Sequence, residues 1–365
     1  MRSTRLDVDV NQFIQNIELI KKYVGNKMIM PVIKANAYGT YLNKRLDVLK
    51  MFSIVAVAIV DEGIELRKLG YHGEIFILNQ PSIEEIPLIL EYDLTIGLSD
   101  STFLNHCKNL SKNMKVHLEI ETGMNRTGIS VPYLDSFLDR VDSSSIQVLG
   151  VYSHLSSADF DASYTNRQVS IFKNALEIIQ KRSYSLEYIH IEASSGLLNA
   201  KLDFVNLVRP GLLIYGYEPF PDACSFIPVK PICRFYTFIS FLKDVSLGEA
   251  IGYSQTYKCP KDMVIATIPV GYADGYRRSL SNLGYVLIHG EKVPIVGNVC
   301  MDSFMVDVSS ISNVSVGDEV ILFDQDHLTL DEFSNLCDTI SYEILSTISS
   351  RVPRNFIGGL NEKRS

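Results

Sequence analysis

Residues 28–34 read MIMPVIK and residues 54–60 read IVAVAIV, two continuous apolar runs that decide the fold class. Amphipathic stretches typical of helices lie between such runs, as at 61–69 and 166–181. Further runs occupy 74–78, 93–97, 115–121, 147–154, 188–192 and 204–209. Because the runs are continuous rather than alternating, they indicate parallel strands buried on both faces. Eight such strands predict an α/β fold with a (β/α)₈ TIM-type barrel; a doubly wound open sheet is the alternative.

The sequence changes character near residue 232, where turn residues become frequent and long helices become scarce. Strand patterns lie at 235–245, 263–270, 285–289, 293–296, 304–308 and 319–323. This spacing predicts a second, mainly β domain. We therefore expect a barrel over 1–231 and a β domain over 232–365, with 218–231 as linker. Residues 1–10 are candidates for packing with the β domain.

The composition argues against several classes of protein. Apolar residues make up 46% of the 365, and 34 basic against 42 acidic residues give a net charge of −8. An acidic chain is a poor binder of nucleic-acid backbones, so no nucleic-acid partner is expected. The six cysteines include no C-x-x-C pair, which disfavours a zinc site or a disulfide scaffold, and no metal is expected. Unpaired thiols favour a reducing compartment.

Neither a signal peptide nor a membrane span is evident. The N-terminal residues MRSTRLDVDVNQF lack an apolar core. No apolar stretch reaches the roughly 18 residues that a span requires. We therefore expect a cytoplasmic protein that does not enter a membrane.

Reactive side chains lie at or just after the ends of five predicted barrel strands: Lys34, Arg126, His154, Ser194 and Arg209. Strand C-terminal ends meet at one face of a barrel, where active sites lie. The apolar run before Lys34 predicts a desolvated amine with a lowered pKa, a good nucleophile for a carbonyl. The alternative is a lysine that extends along the barrel rim into solvent.

Several segments resemble, in order, those of the alanine racemase family, fold-type III enzymes that use pyridoxal 5′-phosphate (PLP). They are VIKANAYG from residue 32, HLEIETGMNRTGI from 117, GVYSHLSSAD from 150, VRPGLLIYG from 208, AIGYSQTY from 250, IPVGYADGYRRSLSN from 268, VPIVGNVCMDSF from 293 and RVPR from 351. A single match of this kind is weak, but the ordered set covers most of the chain.

The resemblance implies a cofactor site in the barrel. Lys34 would bind PLP and act as one base, and Arg209 would face the pyridine nitrogen. Arginine keeps its proton, so that nitrogen would stay unprotonated, a weaker electron sink that limits side reactions. The phosphate would be held by Tyr38, Ser194 and the backbone of Gly211 and Leu212, with His154 near the ring.

The resemblance also implies a second base in the β domain. Racemisation needs acid–base groups on both faces of a planar carbanion, and the family places a tyrosine, here Tyr253, opposite the lysine. In the family this tyrosine comes from the partner subunit of a homodimer, together with the segment matching Met301 and Asp302. Tyr272 would line the entrance, and Arg126 would bind the substrate carboxylate.

Several positions depart from the family pattern, including YGT in place of Y-G-H-G from residue 38. Many members carry a carbamylated lysine seven residues before the arginine that corresponds to Arg126; here Glu119 already provides a carboxylate. Ala193 stands in place of an asparagine, in a stretch reminiscent of the serine/alanine racemases of vancomycin resistance. Ser350 stands where some members have a phosphate-binding tyrosine. The departures bear on substrate preference more than on reaction type.

The expected function is interconversion of L- and D-alanine, supplying D-alanine for peptidoglycan. A serine or broad-specificity amino-acid racemase, and a non-catalytic PLP-binding protein, are the alternatives. A fold-type III decarboxylase is disfavoured, because no glycine-rich phosphate loop is found and Cys300 lies within the racemase-like segment.

Overall fold

The computed structural model of the protein describes residues 4–359, and this part divides into two compact units. The barrel unit comprises Ile14–Ala37 and Leu42–Val229. The β unit combines residues 4–13 and Tyr38–Tyr41 with residues 230–359. The first elements along the chain are strand β1 (Arg5–Asp9) and helix α1 (Val10–Val24).

Strands and helices alternate through the barrel unit. The strands are β2 (Met28–Ile29), β3 (Ile54–Val57), β4 (Glu74–Ile77), β5 (Thr95–Leu98), β6 (Met114–Glu121), β7 (Ile129–Ser130), β8 (Ile146–Tyr152), β9 (Tyr188–His190) and β10 (Leu207–Val208). The helical elements are α2 (Lys34–Tyr38), which is a left-handed turn whose last residue belongs to the β unit, and the helices α3 (Leu46–Leu49), α4 (Val60–Leu69), α5 (Ile86–Glu91), α6 (Ser101–Asn105), α7 (Leu134–Asp142), α8 (Ala162–Gln180) and α9 (Ser194–Asn199).

Parallel pairing closes eight of these strands into a ring. A parallel sheet runs in the order β3-β4-β5-β6-β8-β9, and β10 pairs with β2. Two isolated parallel bridges, Val32 with Ala56 and Ala193 with Arg209, join these two sets at both ends. The short strand β7 lies outside the ring, on the end of β6. The predicted (β/α)₈ barrel is confirmed, and closure excludes the open-sheet alternative.

Burial explains why the barrel strands lack polar alternation. Every residue of β3 (IVAV) and of β5 (TIGL) is buried, because the barrel interior covers one face and helices the other. The helices are amphipathic; α7, for example, buries Leu134, Phe137 and Leu138. Polar side chains that could bind a ligand are therefore expected at the ends of the strands rather than in their buried middles.

The β unit is built from three sheets. Its elements are β11 (Cys233–Phe238), β12 (Phe241–Val245), β13 (Ala250–Ile251), β14 (Tyr257–Lys258), β15 (Met263–Ile268), β16 (Tyr285–Ile288), β17 (Glu291–Pro294), β18 (Phe304–Asp307), β19 (Glu319–Phe323), α10 (Leu330–Leu336), α11 (Ser341–Thr347) and β20 (Arg354–Ile357). The mainly β character predicted for this region is confirmed.

The largest sheet of the β unit joins distant parts of the chain. Its order is β17-β16-β19-β11-β1-β20, with β1 antiparallel to β11 and parallel to β20. The other sheets are β12-β15-β18 and the pair β13-β14. A small core of Val245, Ile251, Met263 and Val296 lies between elements of these two sheets. Within residues 4–359, no helix is long and apolar enough to cross a membrane.

Candidate active site

The chain makes a left-handed turn after Lys34, shortly beyond the end of β2. Ala35, Asn36 and Ala37 have φ of 52°, 54° and 54°. Left-handed backbone costs a residue other than glycine roughly 1–2 kcal/mol. Glu62 of α4 offsets this cost, since its carboxylate accepts the amide of Ala35 at 2.6 Å. The turn that presents Lys34 is thus fixed from outside its own strand.

The Lys34 side chain is half-buried, and its pKa is lowered. Desolvation is the main cause, and the positive charge of Arg126 adds to it, whereas Glu62 acts in the opposite direction. A larger fraction of the amine is therefore neutral, and nucleophilic, than in a free lysine.

Arg209 lies at the centre of a buried polar cluster and is 2% exposed. Its guanidinium donates to Nδ1 of His190 at 2.7 Å, to the Ser153 carbonyl at 2.8 Å and to Nδ1 of His154 at 3.2 Å. Burial lowers the pKa of Arg209 to about 10, so the side chain is charged at neutral pH. Burial and the charge of Arg209 lower the pKa of His154 to about 3, so His154 is neutral and accepts.

Two further barrel strands extend this cluster. Nε2 of His190 lies 2.8 Å from Nδ1 of His117, and Nε2 of His117 lies 3.7 Å from a carboxylate oxygen of Glu74. No motif or strand-end position in the sequence indicated a role for these three residues. A signal was present: Gly150, in the strand between the two histidines, has no room for a Cβ, which would lie 3.0 Å from the His117 ring. A glycine within a strand often marks such a close approach.

A small cradle forms where β9 and β10 end. The Ser194 hydroxyl oxygen accepts the amides of Gly211 at 3.0 Å and Leu213 at 3.5 Å. Both bonds use lone pairs of that oxygen, so its own proton remains available for an anionic ligand. Leu212 begins a 3-10 turn, Leu212–Tyr215, whose first amides lack partners within the turn.

The segment after β6 carries Arg126, which is exposed. Glu119 is 6% exposed and accepts the hydroxyl of Thr127 at 2.7 Å. Desolvation raises the pKa of Glu119, and the neighbouring Arg126 opposes that rise. Within the described chain, no hydrogen bond or ion pair joins the Glu119 carboxylate to Arg126.

In the β unit, hydrogen bonds to backbone carbonyls connect the segments that carry Tyr253, Tyr272, Met301 and Asp302, the residues predicted for the face of the substrate opposite Lys34. The amides of Tyr272 and Ala273 donate to the carbonyls of Cys300 and Met301, each at 3.0 Å. Asp302 pairs with Arg351 at 2.7 Å. The segment 298–302 also reaches Tyr253, whose carbonyl accepts the Asn298 amide group at 2.9 Å.

The side chains of Tyr253, Met301 and Tyr272 face solvent in the single chain. Tyr253 is 72% exposed, Met301 53% and Tyr272 44%. These three side chains are therefore accessible to a ligand or to another chain.

Tyr38 lies in the β unit and is 8% exposed. Its ring contacts that of Tyr342, at 5.9 Å between centroids, and burial raises the pKa of its hydroxyl. The next residue is fixed as well: the Gly39 carbonyl accepts from Arg354 at 2.9 Å. Ser350 is exposed, as Ala193 is in part.

Comparison with known proteins identifies the family. Residues 8–219 match the alanine racemase N-terminal domain, and residues 232–356 match the alanine racemase C-terminal domain. The chain belongs to the alanine racemase family. The alanine racemase of Halothermothrix orenii is 37% identical to it, over 98% of both chains. Alanine racemase 2 of Caldanaerobacter subterraneus subsp. tengcongensis is 33% identical, over 98% of this chain and 95% of the relative.

Solved alanine racemases share the fold. The enzyme of Bacillus anthracis with bound L-Ala-P superposes with a TM-score of 0.91 at 31% identity, covering 98% of this chain and 96% of that one. The enzyme of E. faecalis gives a TM-score of 0.91 at 30% identity and covers 98% of both chains. The resemblance read from the ordered motifs is therefore confirmed for the family and for the fold.

Proposed function

We propose that the protein racemises alanine with PLP bound in the barrel unit. The observation that carries this proposal is the pairing of two cationic side chains with opposite roles. Lys34 has an amine of lowered pKa, while Arg209 is buried, charged and held by acceptors on three sides. The Lys34 amine suits covalent attachment of an aldehyde, and the Arg209 guanidinium suits a hydrogen bond to a ring nitrogen.

The residues present fit PLP. Ser194 has a proton to donate beside the amides of the Leu212–Tyr215 turn, which suits a phosphate group. Neutral His154 is polarised by Arg209 and can lie against a ring without adding a charge. Tyr38, Gly211 and Leu212 complete the proposed phosphate contacts.

Bound PLP supplies an electron sink that acidifies the α-hydrogen of an attached amino acid. Lys34 then removes or returns the α-proton on one face, and Tyr253 does so on the other. Arg126 holds the substrate carboxylate, and the nearby negative charge of Glu119 stabilises that arginine without any modification. Met301, Asp302 and Tyr272 shape the approach to the α-carbon.

The exposure of Tyr253 supports a homodimer in which each β unit completes the site of its partner. A base must be shielded from bulk water to act on a carbon acid. A tyrosine 72% exposed in one chain meets that condition once a second chain covers it. In the cell, we propose a cytoplasmic enzyme whose D-alanine is used for peptidoglycan.

The deciding experiment is a chiral product assay. Purified protein with PLP is incubated separately with L-alanine, D-alanine, L-serine and other L-amino acids, and the enantiomers are resolved. We expect both alanine enantiomers to converge on equal amounts. An inert protein that still binds PLP would refute the proposal and favour a cofactor-carrying role.

The serine arm of this assay tests the effect of Ala193. A hydrophobic pocket discriminates against one added hydroxyl by only about a hundredfold. Ala193 leaves more room than the family asparagine, so we expect a measurable serine rate. A serine rate below about a thousandth of the alanine rate would contradict relaxed specificity without affecting the main proposal.

Lys34 is tested by substitution. Lys34→Ala should remove the visible absorbance that borohydride abolishes in the wild type, because no other amine is proposed to bind the aldehyde. Lys27→Ala, which removes a lysine paired with Glu192 at 2.7 Å, serves as control and should keep the absorbance. Retention of borohydride-sensitive absorbance in Lys34→Ala would overturn the assignment.

A further inference from the structure

A line of polar side chains leads away from Arg209 across the barrel unit. Arg209 Nη1 lies 2.7 Å from His190 Nδ1, and His190 Nε2 lies 2.8 Å from His117 Nδ1. His117 Nε2 lies 3.7 Å from Glu74 Oε1. Both histidines are fully buried, and the Glu74 side chain is 17% exposed. Tyr188 donates to the same carboxylate at 2.9 Å.

The two residues at the ends of the line, Arg209 and Glu74, determine the direction in which its hydrogen bonds are donated. A guanidinium can only donate, and an ionised carboxylate can only accept. His190 Nδ1 must therefore accept from Arg209, which leaves the His190 proton on Nε2. That proton points to Nδ1 of His117, so His117 also carries its proton on Nε2, facing Glu74. Every donor in the line points the same way, and each imidazole is neutral.

Packing keeps both rings in this orientation. Phe76 stacks on His117 at 4.5 Å and 22°, and Tyr152 stacks on His190 at 5.2 Å and 7°. Burial lowers the pKa of both histidines, Glu74 opposes this effect at His117, and the charge of Arg209 adds to it at both rings. A Cβ at Gly150 would lie 3.0 Å from the His117 ring and 2.7 Å from the Tyr188 carbonyl oxygen, so the glycine leaves room for that ring.

We infer that His117 and Glu74 are positioning residues for Arg209, fixing His190 as a neutral acceptor so that the guanidinium keeps one orientation and its full charge. Neither residue need touch the substrate. The part of this inference that concerns racemisation rests on the proposed function, because a fixed, charged Arg209 keeps the pyridine nitrogen unprotonated. The protonation pattern itself does not depend on that function.

The protonation pattern is tested first, on the full chain loaded with PLP and labelled with ¹⁵N-histidine. Solid-state NMR distinguishes Nδ1–H, Nε2–H and doubly protonated rings, and spectra of His117→Gln and His190→Asn assign the signals. We expect both rings to be neutral with the proton on Nε2. A proton on Nδ1 of either ring, or a charged ring, overturns the inference even if the protein racemises alanine.

The consequence is tested with three variants in the same protein. Transamination is measured as pyruvate released from alanine per racemisation turnover. Glu74→Leu removes the carboxylate oxygen that faces His117 Nε2 at 3.7 Å, and it should raise this ratio severalfold. Glu74→Gln retains an acceptor oxygen and should restore most of the difference. Tyr188→Phe removes one bond to the carboxylate but keeps its charge, and it is the matched control.

The readings separate the possible outcomes. A raised ratio in Glu74→Leu, with rescue by Glu74→Gln and a wild-type ratio in Tyr188→Phe, supports the inference. An equal rise in all three variants indicates a general packing role and overturns it, as does a wild-type ratio in Glu74→Leu. The tautomer measurement needs no substitution at Glu74, so an unfolded variant leaves the inference falsifiable.

Discussion

Glu119 is the residue at which the chain departs most from the family pattern, and its carboxylate has a testable consequence. Glu119→Gln removes the negative charge beside Arg126 while keeping an oxygen for Thr127. Because Arg126 is exposed, we expect the KM for alanine to rise by about fivefold, or about 1 kcal/mol, rather than by the larger penalty of a buried pair. Steady-state kinetics measure the change.

Thr127→Val is the matched control, since it removes the 2.7 Å hydrogen bond but leaves the charge. Its KM should stay near that of the wild type. Adding or removing bicarbonate should not change wild-type activity, because no carbamate is required. Wild-type kinetics in Glu119→Gln, or activation by bicarbonate, would contradict the role of Glu119.

His154 makes a prediction about acid stability. Its pKa is lowered to about 3 from an ordinary value near 6.5, so the unfolded chain binds the proton more readily between these values. Stability is therefore complete above pH 6.5 and falls as the pH decreases toward 3. At pH 5 the loss from this one group is about 2 kcal/mol.

His154→Asn should flatten that dependence, since Asn keeps an acceptor for Arg209 but does not titrate. Urea unfolding at pH 7 and pH 5 gives the difference in stability for each protein. His72→Asn, at an exposed position, is the control and should behave as the wild type does. An unchanged pH dependence in His154→Asn would show that the buried imidazole is not the titrating group.

Sequence could identify Lys34 and Arg209 because each stands at the end of an apolar run. It could not identify the pairing of His117 with His190, which are 73 residues apart, because no local pattern records a contact across a barrel. Sequence also could not predict that Glu119 bonds to Thr127, because the path of the loop, and not charge, brings these two residues together.

At the scale of elements, helix α8 holds the two segments that carry Arg126 and His154. The Gln168 amide group donates to Thr122 at 3.1 Å and to the His154 carbonyl at 3.0 Å, and its oxygen accepts the Ser156 amide at 2.9 Å. One turn earlier, Tyr164 donates to the Gly123 carbonyl at 2.7 Å. Gln168 is fully buried, so its bonds are not replaced by water when lost.

Gln168→Leu should therefore loosen the segment 122–127 while preserving apolar packing. We expect a higher KM for alanine, a smaller change in kcat, and faster hydrogen exchange of the Gly123 and Asn125 amides. Ser170→Ala, on an exposed position of the same helix, is the control. Unaltered exchange together with unaltered KM would show that α8 does not position this segment.

The elements that sequence predicted best are the long strands of the barrel. The run 115–121 became β6 (Met114–Glu121), and 147–154 became β8 (Ile146–Tyr152). Five short strands were not predicted, because two to five residues give too little periodicity; these are β1, β7, β13, β14 and β20. The predicted strand 235–245 is two strands, separated at Ile239 and Ser240, whose backbone bonds go to other segments.

At the scale of the whole molecule, the exposed side chains of the β unit argue for assembly. Tyr253, Met301 and Leu283 are each more than half exposed in the single chain. Exposed apolar surface of this kind is costly in water and marks interaction sites. In the proposed homodimer, a symmetric interface covers this surface, and Tyr253 of one chain acts together with Lys34 of the other.

Mixing two inactive variants tests this arrangement. One chain carries Lys34→Ala and the other Tyr253→Phe, each with its own affinity tag, and heterodimers are isolated after co-expression. If the two bases act in trans, one site of the heterodimer receives both substitutions, whereas the other keeps an intact lysine from one chain and an intact tyrosine from its partner. Activity should then return, to at most half that of the wild-type dimer. Each variant expressed alone is the control and stays inactive.

If both bases act within one chain, every site retains a substitution and the heterodimer is inactive. That result, with the heterodimer isolated, would rule out a shared site and leave Tyr253 without the role proposed for it.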